Sequence, residues 1–401
     1  MARIHAFKGY RPLKDHVQKV ASRPYDVLNS AEAREEVQNN PWSFLHVVKP
    51  EVDLPEGVNL YSDEVYQKGR ANLEALIREG SFVQDKEEML YVYGQTMFGK
   101  TQYGIVACAA VDDYLNDVIK KHELTRPDKE EDRMNHIRVT NFNAEPVFFT
   151  YPDHQGLDEL VAKVIAGEPE YDFETDDGVG HHFWCISDRK QIERITGIFE
   201  KEIPYTYVAD GHHRTAAAAL VGKERRKANP GHRGDEEYNY FLAVHFPASQ
   251  LTIIDYNRVV KDLNGHSAEE FLKMLEDSFI VEEKGSKVFK PGHLHQFGMY
   301  LEGCWYALEA KPGTYNDNDP IGCLDVTVLS DQVLGPLLNI TDLRKSKRID
   351  FVGGIRGLAE LSKRVDSGEM AVAFALYPVS MEQLIRIADK GDDHASEDHV
   401  V

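Results

Sequence analysis

Cysteine is scarce: there are four in 401 residues, Cys108, Cys185, Cys304 and Cys323, widely and unevenly spaced. That spacing fits neither a disulfide framework nor paired zinc ligands, and it points to a reducing cytoplasm. Positive charge is also short. Lys and Arg number 46 against 67 Asp and Glu, a net charge of −21, which excludes a general grip on DNA, RNA or anionic lipid and leaves room only for a local basic pocket. No run approaches the roughly 20 apolar residues of a membrane helix. The opening segment Met1 to Asp15 lacks the apolar core of a secretion signal. Fixed-period repeats are missing, and the one low-complexity tract is the polar stretch Lys390 to His399.

The residues that are present read as a folded protein. With 42% hydrophobic and 28% charged residues the composition is globular, and the length suits two or three domains. Met89 to Tyr93 and Gln102 to Val111 are rich in β-formers, as are Phe142 to Tyr151 and His181 to Ser187. Tyr61 to Glu79 has helical spacing and stops at Gly80. Ile203 to Val221 switches from a β-rich run to an alanine-rich one, predicting strand, turn and helix. The alternation of strands and helices after residue 265 predicts a separate α+β unit over 266–390, leaving 391–401 as a polar tail.

Several motifs are candidates for chemistry. Gly94 to Thr101 satisfies the phosphate-loop pattern, but the next residues, Gln102 to Cys108, are strand-like where the mechanism needs a helix, so a hairpin loop is the competing reading. Asp210-Gly211-His212-His213-Arg214 is sharper. Asp210 suits an N-cap and Gly211 an unusual backbone angle, whereas three cationic or titratable residues in a first helical turn oppose the macrodipole. An anion held by the first-turn amides and Arg214 would offset that cost; a capped helix with two surface histidines is the plainer alternative. Adjacent histidines do not face one site on a helix, and His181 and His182 on a strand point to opposite faces, so shared zinc is disfavoured in both places. Lys120 to Glu130, with Arg126 and Lys129, gathers acid, base and phosphate-binding groups on a segment that reads equally as a solvated face. Gly353, Gly354 and Arg356 make either a second anion contact or a tight turn. Asp26, behind Pro24, is either a metal or base candidate or part of a buried turn.

Six segments together resemble the domain-of-unknown-function 1015 family over nearly the whole chain. They are Arg23 to Val27, Asn40 to Val47, His122 to Glu130, Asp210 to Arg214, Tyr238 to Val244 and Phe351 to Gly357. The Asp210–Arg214 turn is also similar to the nucleotide-phosphate site of the ParB/sulfiredoxin-like superfamily, which includes ParB CTPases, sulfiredoxin and a free-serine kinase. That likeness implies an α+β fold: a mixed-sheet nucleotide-binding core over 1–265 with the charged loop inserted, followed by the C-terminal unit. It implies that Gly211, His212, His213 and Arg214 bind nucleotide phosphates with help from Arg126 and Lys129. Asp210 would then hold Mg²⁺, and Asp26, Asp210 and His213 would serve catalysis with ATP or ADP. Sulfiredoxin's reactive cysteine is missing from the motif, and no counterpart of ParB's DNA-reading helices is identifiable, which favours the kinase branch. The expected activity is phosphoryl transfer to a small hydroxylated metabolite, free serine first, with a non-catalytic nucleotide sensor as the alternative. The expected partners are nucleotide and small-molecule substrate, not nucleic acid or membrane, with a homodimer as one assembly open to the chain.

Overall fold

The computed structural model describes residues 1–122, 125–343 and 345–390, and only the backbone of Ile355. Glu123 and Leu124 of the charged segment, and the polar tail 391–401, lie outside the described residues. The chain divides into two compact units, one of Met1–Lys121 and Thr125–Leu251, the other of Thr252 onwards together with His122. The expected boundary at 265 therefore falls inside the second unit. Tyr256–Val260, which precedes it, pairs antiparallel with Ile349–Gly353 and Val372–Ala375. Position 265 itself belongs to a turn after that strand, where Asn264 and Gly265 both take positive φ (55° and 86°).

In the first unit a mixed sheet runs in the spatial order Ile119–Lys120, Thr206–Asp210, Val147–Tyr151, Tyr240–Pro247, Lys100–Ala110, Leu90–Met97, Gly180–Ile186 and Tyr171–Glu174. Ile4–His5 adds to Lys100–Ala110. Two neighbouring pairs are parallel, Thr206–Asp210 with Ile119–Lys120 and Tyr240–Pro247 with Val147–Tyr151; the other pairs are antiparallel. The phosphate-loop pattern is a hairpin. Its strands are Leu90–Met97 and Lys100–Ala110, and its two-residue turn, Phe98-Gly99, has φ of 53° and 76° as the twist of a tight hairpin requires. No helix follows Lys100, so the amides that would cradle a phosphate are committed to strand pairing.

Two layers of helix fill the faces of this sheet. Gln155–Ile165 and Arg189–Glu202 present Leu157, Leu160, Val161, Ile192, Ile195 and Phe199 at helical spacing to Leu90, Val92, Ile105 and Ala107. His212–Ala228 presents the slim face Ala216 to Ala219, so Ala218 and Ala219 sit directly on Val147, Phe149 and Val208. The small side chains matter because the backbone comes close: a Cβ on Gly222 would lie 2.5 Å from the Tyr238 carbonyl. Outside this helix lies Pro127–Thr140, whose Met134 packs on Ala217 and Val221. The charged stretch is thus a helix with a narrow apolar seam.

The second unit is also α+β. Its sheet is wholly antiparallel, in the order Phe279–Gly285, Cys304–Ala310, Gln296–Leu301, Val372–Ala375, Tyr256–Val260 and Ile349–Gly353. Phe271, Phe279, Phe297, Phe374, Leu329 and Leu334 form its core. Asp325–Leu329 begins a helix that continues as a π-turn over Ser330–Leu334.

Gly222→Ala is expected to destabilise by about 1–2 kcal/mol despite alanine's better helix propensity, because the overpacked methyl meets backbone; urea unfolding measures it. A pH dependence arises from two buried imidazoles. Burial pushes His136 down to about 4, with Arg133 adding to the effect, and burial likewise pushes His245 down to about 4. The unfolded chain takes up protons near pH 6.5 that the folded chain refuses. Stability present above that pH is therefore lost as pH falls from about 6.5 to about 4, by up to about 3 kcal/mol per residue. Equal unfolding midpoints at pH 7 and pH 5 would contradict this.

Candidate functional site

The strand Thr206–Asp210 ends at a turn whose geometry depends on one residue. Gly211 takes φ 91° and ψ 41°, a left-handed conformation, and becomes the N-cap of the helix His212–Ala228. A Cβ there would also lie 3.0 Å from Val147 Cγ1. This corrects the expectation that Asp210 caps the helix: no side chain caps it, and Asp210 is the last residue of the strand. Its carboxylate turns instead to Arg214, accepting from Nη2 at 2.6 Å.

Arg214 accounts for most of the local architecture. Its Nη1 donates to the Pro146 carbonyl at 2.6 Å, so one guanidinium ties the helix start to both the preceding strand and the entry of Val147–Tyr151. Burial works against its charge, but Asp210, Glu145, Asp26 and Tyr25 overcome that and raise its pKa above the ordinary value. Glu145 is pulled both ways. Burial raises its carboxyl, Arg214 and Arg133 hold it down, and the net direction is up. Its Oε1 accepts from the Tyr25 amide at 3.3 Å. Arg133 lies 4.1 Å above the Tyr25 ring, 4.0 Å from Glu145 Oε2 and 2.6 Å from Asp132 Oδ2. Burial pushes the Tyr25 hydroxyl up to about 12 against the pull of Arg133. Between these groups is a cavity of about 30 Å³ lined by Arg133, His136, Glu145, Val147, Arg214 and Ala218, room for one or two waters.

The structure thus brings together three segments far apart in sequence: Tyr25-Asp26, the helix beginning at Arg126 and the Asp210–Arg214 turn. Asp26 is exposed, in the 3-10 turn Tyr25–Val27, and its charge acts on Tyr25, Glu145 and Arg214. His213 is half-buried, and its Nε2 accepts the Arg126 amide at 3.0 Å, which places the ring proton of the neutral form on Nδ1. Arg126 reaches Asp128 at 2.8 Å, and Lys129 stands exposed in the same first turn. His212 is buried, turned into the fold. Gly353, Gly354 and Arg356 belong to the second unit, at the end of Ile349–Gly353 and in the 3-10 turn after it. Gly354 has a packing reason there, since a Cβ would lie 2.5 Å from Asp255 Oδ1.

Sequence reasoning missed Arg133, Glu145 and the Pro146 carbonyl. The available signal was Glu145-Pro146, a carboxylate and a rigid residue immediately before an apolar strand. Four carboxylates (Asp26, Asp132, Glu145, Asp210) stand among the guanidiniums of Arg126, Arg133 and Arg214, and Asp26 and Asp210 are the exposed ones of the four. Among the described residues a Mg²⁺ ion would find no more than these two carboxylates here and would take its other ligands from phosphate oxygens and water. Among the described residues no group of three or more His, Cys, Asp or Glu side chains is arranged to hold a metal ion by itself, and no helix is long and apolar enough to cross a membrane.

The chain belongs to the DUF1015 family, described as a protein of unknown function, whose family model matches residues 4–327. No curated protein matches the sequence. Among solved structures it is similar to C-terminally truncated SbnI from Staphylococcus aureus, with 12% identity and a TM-score of 0.30 over 71% of this chain and 78% of that one. It is also similar to a free serine kinase variant in complex with AMP, with 11% identity and a TM-score of 0.34 over 74% of this chain and 85% of that one. Neither likeness assigns chemistry to this chain.

Glu145→Ala leaves Arg133 and Arg214 buried without their shared counter-charge, and a loss of about 3 kcal/mol is expected. Glu145→Gln, which keeps the Tyr25 amide acceptor, is expected to lose less; the two ranked in the opposite order by urea unfolding would contradict the network.

Proposed function

We propose that this DUF1015 chain is a nucleotide-dependent phosphotransferase, passing a phosphoryl group from ATP or ADP to a small hydroxylated metabolite, with free serine the first acceptor to try. The observation that carries the reading is the uncapped first turn of His212–Ala228, flanked by Arg126 and Asp26 and braced from behind by Arg214. Its amides point to where phosphate oxygens would bind, and the helix dipole favours negative charge there.

Each role rests on position. The amides of His212 to Arg214 hold the phosphates, and Arg214 stabilises the transferring group from a position that Pro146 and Asp210 keep rigid. Arg126 and Lys129, in the first turn of a neighbouring helix, close over the phosphates. Asp210, whose side chain is 58% exposed, would supply a carboxylate to Mg²⁺, and the ion would offset phosphate charge when bound. Asp26 orients the acceptor hydroxyl. The acceptor oxygen bonds to phosphorus, the bond from phosphorus to the leaving nucleotide oxygen breaks, and the hydroxyl proton passes to Asp26. His213 holds Arg126 in place through Nε2. A sensor that binds without turnover is the second reading, favoured by the Arg214 fork being already engaged with protein groups.

Phosphorus NMR of the protein with Mg²⁺, ATP or ADP and a pool of hydroxyl-bearing amino acids tests the assignment. A new phosphomonoester signal is expected from wild type, falling by about 100-fold or more in Asp26→Asn. Arg214→Ala is expected to abolish nucleotide binding and, because it removes the joint between the helix start, Pro146 and Asp210, to lose stability as well, so its fold is checked by circular dichroism on the same sample. Broadened nucleotide resonances without product would favour the sensor, and unchanged nucleotide affinity in Arg214→Ala would overturn both readings.

A further inference from the structure

At one margin of the first unit's sheet, away from any residue given a role above, a strand has one edge without a strand partner. Ile4–His5 pairs antiparallel with Lys100–Ala110 and, among the described residues, with no other strand. In such a pair, successive residues turn their N–H and C=O groups to opposite sides. The Arg3 carbonyl accepts the Ala110 amide at 3.2 Å, so Arg3 and His5 face the sheet. The Ala2 amide points the other way and donates to the Ile203 carbonyl at 2.9 Å. Ile4 and Ala6 share the orientation of Ala2, and their backbone groups therefore turn away from the sheet. The stretch is bounded beyond Ala6 by Phe7, which exchanges two backbone hydrogen bonds of 3.0 Å with Met89. It is also held in place. The Arg3 amide and Nε donate to Asp113 at 2.6 and 3.1 Å, and the His5 ring stacks on Tyr240 with centroids 4.7 Å apart.

Beside this edge lies a cavity of about 310 Å³, a volume in the range of clefts that take ligands. Ile4 to Ala6 form one wall and the helix Arg189–Glu202 the other, with Ile192 and Thr196 between Arg189 and Glu200. These four helix positions are three, four and four residues apart, so they fall on one stripe about 16 Å long, the length of about five extended residues. Ile4, Ala6 and Ile192 belong to one buried apolar cluster, which gives the slot a dry floor. A slot between a free strand edge and a helix suits a guest in extended conformation. The edge supplies main-chain hydrogen bonds, and every second guest side chain enters the cleft.

Charge selects the guest. Glu88, Arg189 and Glu200 line the cavity, and among the described residues none of them is in an ion pair, whereas Arg3 is already matched by Asp112 and Asp113. Two unmatched carboxylates against one guanidinium leave the slot negative, on a chain whose net charge is −21. An acidic guest is repelled, and a basic one is steered in and meets Glu88 and Glu200. We propose that this slot binds an extended, lysine- or arginine-bearing segment of a partner protein as an added strand along Ile4–Ala6.

The full chain is titrated with the fluorescently labelled peptide Val-Lys-Val-Lys-Val, blocked at both ends, by anisotropy, and its amide hydrogen exchange is compared with and without peptide. Saturable binding is expected, with exchange slowed at Ile4 and Ala6. Two further peptides carry N-methyl groups, one on its lysines and one on its valines, so that each presents only one intact edge. One of the two is expected to bind about tenfold weaker or worse and the other like the parent, because a strand pairs through one edge. Glu200→Lys, a change on an exposed side chain, is expected to weaken the parent peptide by about two- to fivefold at low salt. Both methylated peptides binding like the parent would overturn strand addition, as would protection that spares Ile4 and Ala6. Equal affinity for Val-Glu-Val-Glu-Val, or no effect of Glu200→Lys, would overturn the choice of a basic guest. A dimer of the free chain that the peptide dissolves would put a second copy in the slot and overturn the partner assignment. Absence of binding up to about 1 mM would overturn the site itself.

Discussion

One guanidinium organises the candidate site. Arg214 fastens the start of His212–Ala228 to Pro146 and to Asp210, so the helix, the strand it leaves and the neighbouring strand share one rigid joint. A cation in the first helical turn is unfavourable on its own, and it is stable here because Glu145, Asp26 and Asp210 surround it. Arg133 completes the balance from the opposite helix, stacked on Tyr25 and facing Glu145. Gly211 makes the joint possible, since a side chain at φ 91° would be strained and crowded by Val147.

That arrangement leaves the N-terminal end of the helix without a side-chain cap while the charges behind it are internally paired. Around the first turn Asp26 and Lys129 are exposed and Arg126 is half-buried, Arg133 and Glu145 pack behind it, and Arg214 stands between the two groups, tied to Pro146 and Asp210. The slim alanine face allows the helix to lie on the sheet closely enough for its first turn to reach Pro146. The buried carboxylate of the second unit, Asp325, works differently. Burial pushes its carboxyl up, and among the described residues no guanidinium faces it as Arg133 and Arg214 face Glu145.

Much of the fold was legible because its signals are local. Strand compositions at 89–93, 102–111 and 181–187 correspond to strands, and the change of pattern at Ile203–Val221 to the strand–turn–helix unit. The Asp210–Arg214 cluster announced itself through an electrostatic contradiction, three cationic or titratable residues where the dipole disfavours cations. Local signals failed where pairing partners decide the outcome. The N-cap role assigned to Asp210 went to Gly211, because Arg214 competes for the carboxylate, and the boundary at 265 ignored strand Tyr256–Val260, whose partners lie about a hundred residues further on.

By itself, the sequence determined composition class, element types, the family and the turn that carries the candidate chemistry, since each depends on residues close together in the chain. Only the tertiary structure decided that Tyr25, Arg133 and Glu145 stand behind that turn, that Asp26 and Arg126 reach it, and that Ile192 and Thr196 line a cavity beside Ile4 and Ala6. Those groups come from separate strands, helices and loops, and the burial that gives their charges weight exists only once the sheets have assembled.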